Sequence, residues 1–269
     1  MKITVLVDNN TYIDQYYYGE PGVSYYIEED GKHILFDTGY SDLFIKNANS
    51  LGISLEHLDY LILSHGHDDH SRGMKYYFEE QNTSNLLILA HPDALKEKVM
   101  NNIKIGSPLL KEEVKQKYNL ILSKEPVQIS KNVIFLGEIP QSNSFEGRSA
   151  IGKQLENGTL VDDYIMDDSA LVCQSDNGIY IITGCSHSGI CNIIEYAKQV
   201  CNTNTVLGIL GGFHLFEVND RVEKTIEYLK QNKIKELYPC HCTSFAVKAE
   251  IHKSVPVKEV GVGLELNWL

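Results

Sequence analysis

The chain has 269 residues, 43% of them hydrophobic, and carries 36 acidic residues against 24 basic ones for a formal net charge of -12. That size and apolar content support a full core without disulfide staples, as one large domain or two small ones. The acidic balance disfavours a broad basic groove for nucleic acid, and no run approaches the roughly 18 apolar residues of a membrane span.

Three strands open the chain, near residues 2–7, 22–28 and 32–37. The first lacks the apolar core and small-residue cleavage site of a signal peptide, which predicts a cytoplasmic protein. The second and third are joined through Asp30-Gly31, a hairpin signal. After Phe36-Asp37-Thr38-Gly39 an amphipathic segment runs from Ser41 to about Ser50, with Leu43, Phe44 and Ala48 at helical spacing. The apolar run Leu58-Asp59-Tyr60-Leu61-Ile62-Leu63 reads as a buried strand ending at Ser64.

Directly after it stands His65-Gly66-His67-Asp68-Asp69-His70. Three imidazoles and two carboxylates in one short loop suit a borderline cation such as zinc, and ligands this dense can hold two ions. Iron and manganese are the alternatives.

Residues 86–90 read as a further buried strand. From about Pro92 to Tyr118 the pattern is polar and helical, and residues 141–168 read as a long loop. Together, residues of about 92–168 are expected to form an insertion or long loop flanking the site. Strand patterns resume at 170–173 and 179–182, with Asn177-Gly178 as the hairpin turn. A helix follows near 189–200, then a strand at 206–210, a helix at 219–231 and a strand at 234–238. Hairpins lead each half and strand–helix alternation closes it, which predicts two sheets with helices outside them.

The other ligands of a two-ion site should come from strand ends elsewhere. Cys185 and His187 follow the strand ending at Thr183, His214 follows Gly211-Gly212-Phe213, and His241 follows the strand ending at Tyr238. All six cysteines lie in the last hundred residues. A large chain without an export signal keeps them reduced, and several read as small apolar residues. Cys240 and Cys242 flank His241, but no second ligand pair stands at zinc-finger spacing.

At these residues the sequence resembles the metallo-β-lactamase superfamily. Its His-x-His-x-Asp-His signature matches His65, His67, Asp69 and His70. Phe36-Asp37-Thr38-Gly39 is similar to the segment that precedes the signature in that family. The resemblance covers nearly the whole chain and implies a four-layer αββα sandwich of α+β class, here as one domain over residues 1–269. A narrower likeness runs through Val7-Asp8-Asn9-Asn10, Gly137-Glu138-Ile139-Pro140, Gly184-Cys185-Ser186-His187-Ser188-Gly189, Gly211-Gly212-Phe213-His214 and Pro239-Cys240-His241-Cys242. It points to the branch containing a dihydropterin-ribofuranosylaminobenzene phosphate synthase.

The resemblance implies that His65 and His67 hold one ion with a later histidine, and that Asp69 and His70 hold the second with His241. Many members carry an aspartate at the fourth motif. Cys185 stands there instead, as a ligand to one ion, and His187 replaces the third-motif histidine. Asp37 is expected to orient a ligand histidine. His214 is expected to face the substrate as an acid or hydrogen-bond donor, and Asp69 to double as the group that accepts a proton from water. A bound metal lowers the pKa of coordinated water to about 7, so hydroxide exists at neutral pH.

The expected function is therefore a zinc-dependent hydrolase or transferase acting on a small anionic, pterin-like or phosphorylated molecule. No nucleic-acid or membrane partner is expected, and the oligomeric state is left open, a homodimer included. A redox enzyme is disfavoured because related diiron proteins use glutamate where His67 stands. A nuclease is disfavoured by the acidic charge, and a metal-free binding protein by the intact ligand set. Some of the 16 tyrosines, such as Tyr16-Tyr17-Tyr18 and Tyr25-Tyr26, could stack on a ring, although most should fill the core and surface of ordinary strands.

Overall fold

In the computed structural model, which describes residues 1–80 and 85–268, the opening strands show how the layers arise. Strands β1 (Lys2–Val7), β2 (Ser24–Glu29) and β3 (Lys32–Phe36) form an antiparallel meander. Asp30 and Gly31 both take left-handed φ values, +53° and +70°, as a two-residue hairpin turn requires. Side chains alternate across a strand. Accordingly Ile34 and Phe36 of β3 pack on one face and Leu35 on the other.

The chain continues with α1 (Leu43–Ser50), β4 (Tyr60–Ile62), α2 (Asp68–Ser71), α3 (Met74–Glu80) and β5 (Leu87–Ala90). Next come β6 (Lys98–Met100), β7 (Ile103–Lys104), α4 (Lys111–Lys117) and β8 (Asn119–Leu122). The second half holds β9 (Val127–Gln128), β10 (Val133–Phe135), β11 (Lys153–Glu156), β12 (Thr159–Asp162), β13 (Ala170–Ser175), β14 (Gly178–Thr183) and α5 (Ile190–Cys201). It ends with β15 (Val206–Gly212), α6 (Asp220–Gln231), β16 (Glu236–Cys240), α7 (Phe245–His252) and β17 (Glu265–Asn267).

Two large sheets result, in the orders β17-β1-β2-β3-β4-β5-β8 and β16-β15-β14-β13-β10-β9. In each, an antiparallel part passes into a parallel part, from β3 to β8 in the first and from β14 to β16 in the second. One apolar layer lies between the sheets, with Tyr25, Ile27, Ile34, Phe36 and Leu89 from the first meeting Phe135, Leu171, Ile182 and Leu210 from the second. A second layer packs α1, α3 and α4 on the outer face of the first sheet through Phe44, Ala48, Met74, Tyr77 and Val114. A third packs α5, α6 and α7 on the second sheet through Ile190, Ile194, Val222, Leu229 and Val247. The architecture is the expected four-layer αββα sandwich. Each wholly buried aliphatic or aromatic side chain contributes roughly 1.5–3 kcal/mol.

Residues 92–168 depart from the expected pattern. Instead of a helical run from Pro92 to Tyr118, β6 and β7 form a hairpin, and only Lys111–Lys117 is helical. Asn101 and Asn102 make the hairpin turn at φ +51° and +64°, and asparagine tolerates that region better than most residues. Nor is 141–168 a plain loop. It contains the hairpin β11–β12, turned at Asn157-Gly158 with φ +49° and +80°. The two hairpins join in a third, four-stranded sheet, β12-β11-β6-β7. Among the described residues no helix is long and apolar enough to cross a membrane. All six cysteines are unpaired.

Candidate metal centre

Strands β4, β14, β15 and β16 each pair in parallel with a neighbour, and each hands over at its carboxyl end to a segment carrying a candidate ligand, while β3 hands over to Asp37. Ligands gather beyond carboxyl strand ends in open α/β sheets for this reason. β16 extends to Cys240, two residues past the expected end, and so delivers His241 directly.

After β4 the chain turns at Gly66, where a Cβ would sit 2.1 Å from the Ala94 carbonyl oxygen, so only glycine fits. The turn brings the rings of His65 and His67 to 4.7 Å between centroids, and His187 joins them at 4.8 Å from His65 and 5.0 Å from His67. His65 Nε2 and His187 Nε2 face each other at 3.3 Å. His67 Nε2 is buried with no hydrogen-bond partner.

A second group lies alongside. His70 Nε2 is 3.1 Å from Cys185 Sγ and 3.7 Å from Asp69 Oδ2. His241 Nε2 is 3.2 Å from Asp69 Oδ2, out of line for a hydrogen bond, and is otherwise unpartnered. One donor atom each of Asp69, His70, Cys185 and His241 falls within 4.8 Å of the others, and the same holds for His65, Cys185 and His187. All seven residues expected as ligands therefore meet at one edge of the sandwich. His214 is there too, its ring 4.3 Å from that of His187.

The rings of His65, His70 and His241 are each turned by a partner on the far side. Asp37 accepts from the Ser64 amide at 2.7 Å and from the Ser64 hydroxyl at 2.6 Å, and its Oδ2 lies 2.7 Å from His70 Nδ1. With its proton given to Asp37, Ser64 Oγ accepts from His65 Nδ1 at 3.0 Å. Asn9 Oδ1 meets His241 Nδ1 at 3.0 Å, and Asp8 accepts the His241 amide at 3.0 Å. The Nε2 atoms of His65, His70 and His241 are thereby left for the centre. Gly184 is needed beside this network, since a Cβ there would lie 2.1 Å from Ser64 Oγ.

Residues between 98 and 168 support the loop from outside. Lys98 is buried, with Nζ 2.8 Å from both Asp163 and Asp167, and Asp167 accepts the Gly66 amide at 2.7 Å. The Asp68 amide donates to the Ile105 carbonyl at 2.9 Å. Asp168 accepts the amide of Ser188 at 2.9 Å and its hydroxyl as well. Consecutive aspartates thus tie down the loops bearing His67 and His187.

Burial, with the neighbouring histidines and Lys98, holds His65 and His187 well below the ordinary histidine value, and His67 down to about 4. These imidazoles are neutral and ready to coordinate. Burial also works against a charged His70, but Asp69 and Asp37 outweigh it and push that group up to about 9. Burial would raise Asp69, yet His70 and His241 keep its carboxyl below the usual carboxylate range. Burial pushes the Cys185 thiol up. Cys242 is held well below a usual thiol despite burial, by Cys185 and by the His214 and His241 imidazoles beside it.

Neutral, converging imidazoles with unpartnered nitrogens, an ionised carboxylate and a soft sulfur form a donor set that fits divalent cations. Sequence reasoning found the ligand candidates and the orienting role of Asp37. It gave no role to Ser64, Asn9, Lys98, Asp163 or Asp167. The signals available were the Val7-Asp8-Asn9-Asn10 segment for Asn9 and a polar pair at 167–168 just before a buried strand.

Comparison with known proteins gives the family. The profile of the metallo-beta-lactamase superfamily matches residues 17–140, a span that includes the whole His-x-His-x-Asp-His loop. The chain belongs to the metallo-β-lactamase superfamily, whose fold implies divalent metal binding. An uncharacterised protein of Methanocaldococcus jannaschii is 36% identical over 245 residues, covering 90% of this chain and 91% of that one. The 7,8-dihydropterin-6-methyl-4-(beta-D-ribofuranosyl)-aminobenzene-5'-phosphate synthase of the same organism is 32% identical over 265 residues, covering 93% and 89%. The crystal structure of a metal-dependent hydrolase of the beta-lactamase superfamily, Tm1679, superposes with a TM-score of 0.84 at 30% identity, covering 100% of this chain and 99% of that one.

Proposed function

We propose that this protein is a zinc-dependent hydrolase or transferase with two divalent positions, acting on a small anionic substrate that carries a flat ring or a phosphate. The observation that carries the reading is the 3.3 Å approach of His65 Nε2 to His187 Nε2 beside the partnerless His67 Nε2. Neutral imidazoles aimed at one point are a cation's ligand set. His65, His67 and His187 would hold one ion, and Asp69, His70, Cys185 and His241 the other. The Cys185 sulfur favours zinc over harder metals.

A bound divalent cation supplies a coordinated water with a pKa near 7 and steadies charge on a leaving oxygen. The protein's own groups do the rest. Asp69, kept ionised, is placed to accept the proton of the attacking water. Asp37, Ser64 and Asn9 hold the ring tautomers.

Substrate access is through a groove of about 470 Å³ lined by Pro21, Tyr40, His67, Asp69, Met100 and Ile151. Its wall is largely apolar, and Tyr40 carries the Arg72 guanidinium 4.3 Å from its ring centroid. An apolar wall with a cation at its rim suits a planar ring bearing an anionic arm. The name of the synthase relative describes a molecule of that chemistry. Of the tyrosines singled out in the sequence, Tyr25 and Tyr26 are core residues, and Tyr16 and Tyr18 are exposed.

The reading is tested by counting ions in the purified protein and screening phosphodiesters, phosphomonoesters, lactones and pterin phosphates. Turnover should need the ion and should disappear in Asp69→Ala. Failure to bind any divalent ion after reconstitution would sink it.

A further inference from the structure

The sulfur side of the centre holds donors that the two-ion arrangement leaves unused. Cys185 Sγ, a ring nitrogen of His214 and Cys242 Sγ lie within 4.8 Å of one another. Only Cys185 is shared with the groups already described. His214 Nδ1 is buried and has no hydrogen-bond partner. The backbone is arranged around the sulfur as well. The His214 amide donates to Cys242 Sγ at 3.3 Å, and Cys242 Sγ lies 3.6 Å from the Cys185 carbonyl oxygen.

Gly212 makes the room. A Cβ there would lie 2.5 Å from Cys242 Sγ and 2.7 Å from the Gly184 carbonyl oxygen. His214 and His241 both hold left-handed backbone at φ +49°, a conformation that costs a non-glycine residue about 1–3 kcal/mol and persists where surrounding structure enforces it. The strain lets two adjacent strand ends turn a histidine and a cysteine toward Cys185.

We propose that Cys185, Cys242 and His214 form a sulfur-rich subsite for a thiophilic divalent cation, beside the His/Asp centre and sharing its Cys185 sulfur. Two thiolates and an imidazole select zinc or cadmium over magnesium, calcium or manganese. Three protein donors leave a fourth tetrahedral position open to water or substrate. Loading releases the thiol protons, because only the thiolate is a ligand. His214 becomes a ligand here, in place of the substrate-facing role expected from sequence. The subsite rests on the two-ion reading only through Cys185.

The test is a titration of the metal-free, full-length protein with cadmium, following thiolate-to-metal charge-transfer absorption and ions bound per chain. Cys242→Ala is expected to lose one ion per chain and the share of the band due to one thiolate. Cys242→Ser, which keeps the side-chain shape, should behave the same way, and His214→Ala should shift that part of the titration to higher cadmium. In Asp69→Ala the Cys242-dependent band should survive, while its ion count reports the His/Asp centre separately. A band and an ion count unchanged by both Cys242 variants overturn the proposal, whatever Asp69→Ala does.

Discussion

Asp37 Oδ2 lies 2.7 Å from His70 Nδ1, with both side chains shut off from solvent. A carboxylate can only accept, so Nδ1 carries the proton and Nε2 faces Cys185 and Asp69. The same carboxylate fixes Ser64, which in turn fixes His65. One buried group therefore sets ring orientation in both halves of the centre.

Asp37→Asn should accordingly weaken metal binding while keeping the fold. Loss of such an outer partner typically costs roughly 10–100-fold in metal affinity or activity. Competition with a chromophoric chelator measures it. Unchanged affinity would mean that the Asp37 bond does not orient the ligands.

Lys98 is enclosed with Asp163 and Asp167. Lys98→Met leaves two buried carboxylates without their cation, which should destabilise the protein by about 3–5 kcal/mol. Urea unfolding reads this as a lower midpoint at unchanged slope. Replacing Asp163 and Asp167 by asparagine in the same chain should recover much of the loss. No recovery would place the damage elsewhere.

Metal-free protein should lose stability on mild acidification. Burial and neighbouring positive charge depress His67 from the ordinary 6.5 to about 4. Between those values the unfolded chain takes a proton that the folded chain refuses. That stabilisation is complete above pH 6.5 and drains away as pH falls toward 4. His65 and His187, also depressed, add to the slope. His70 acts in the opposite sense: raised to about 9, it contributes below 6.5 and loses that contribution as pH rises through 9. In His67→Gln the acid slope should be shallower, as chelator-treated samples unfolded in denaturant at several pH values would show.

Zinc added back to metal-free protein should raise its melting temperature. A ligand at a hundred times its dissociation constant stabilises the folded state by about 2.7 kcal/mol per site. Asp69→Ala should show a smaller rise. Equal rises in the two proteins would remove Asp69 from the ligand set.

Much of this was legible along the chain. The His65–His70 cluster declares itself because four donors stand within six residues after an apolar strand. Cys185, His187, His214 and His241 could be found because each follows a strand end. Alternating apolar residues and the Asp30-Gly31 and Asn177-Gly178 turns marked the hairpins and, with strand–helix alternation, the two-sheet plan. The stretch 92–168 was misread because its polar residues fit a helical pattern: Asn101-Asn102 carries little signal, and Asn157-Gly158, a hairpin dipeptide like Asn177-Gly178, stands between largely exposed strands that lack an apolar alternation.

The layers and the donor inventory could be read along the chain, because both follow from local periodicity and residue chemistry. Which donors meet, and which way each ring faces, came from the packing of the two sheets. Lys98 reaches Asp167 across 69 residues and Cys185 reaches Cys242 across 57. Contacts that span such separations depend on how two sheets stack, and no local pattern encodes them.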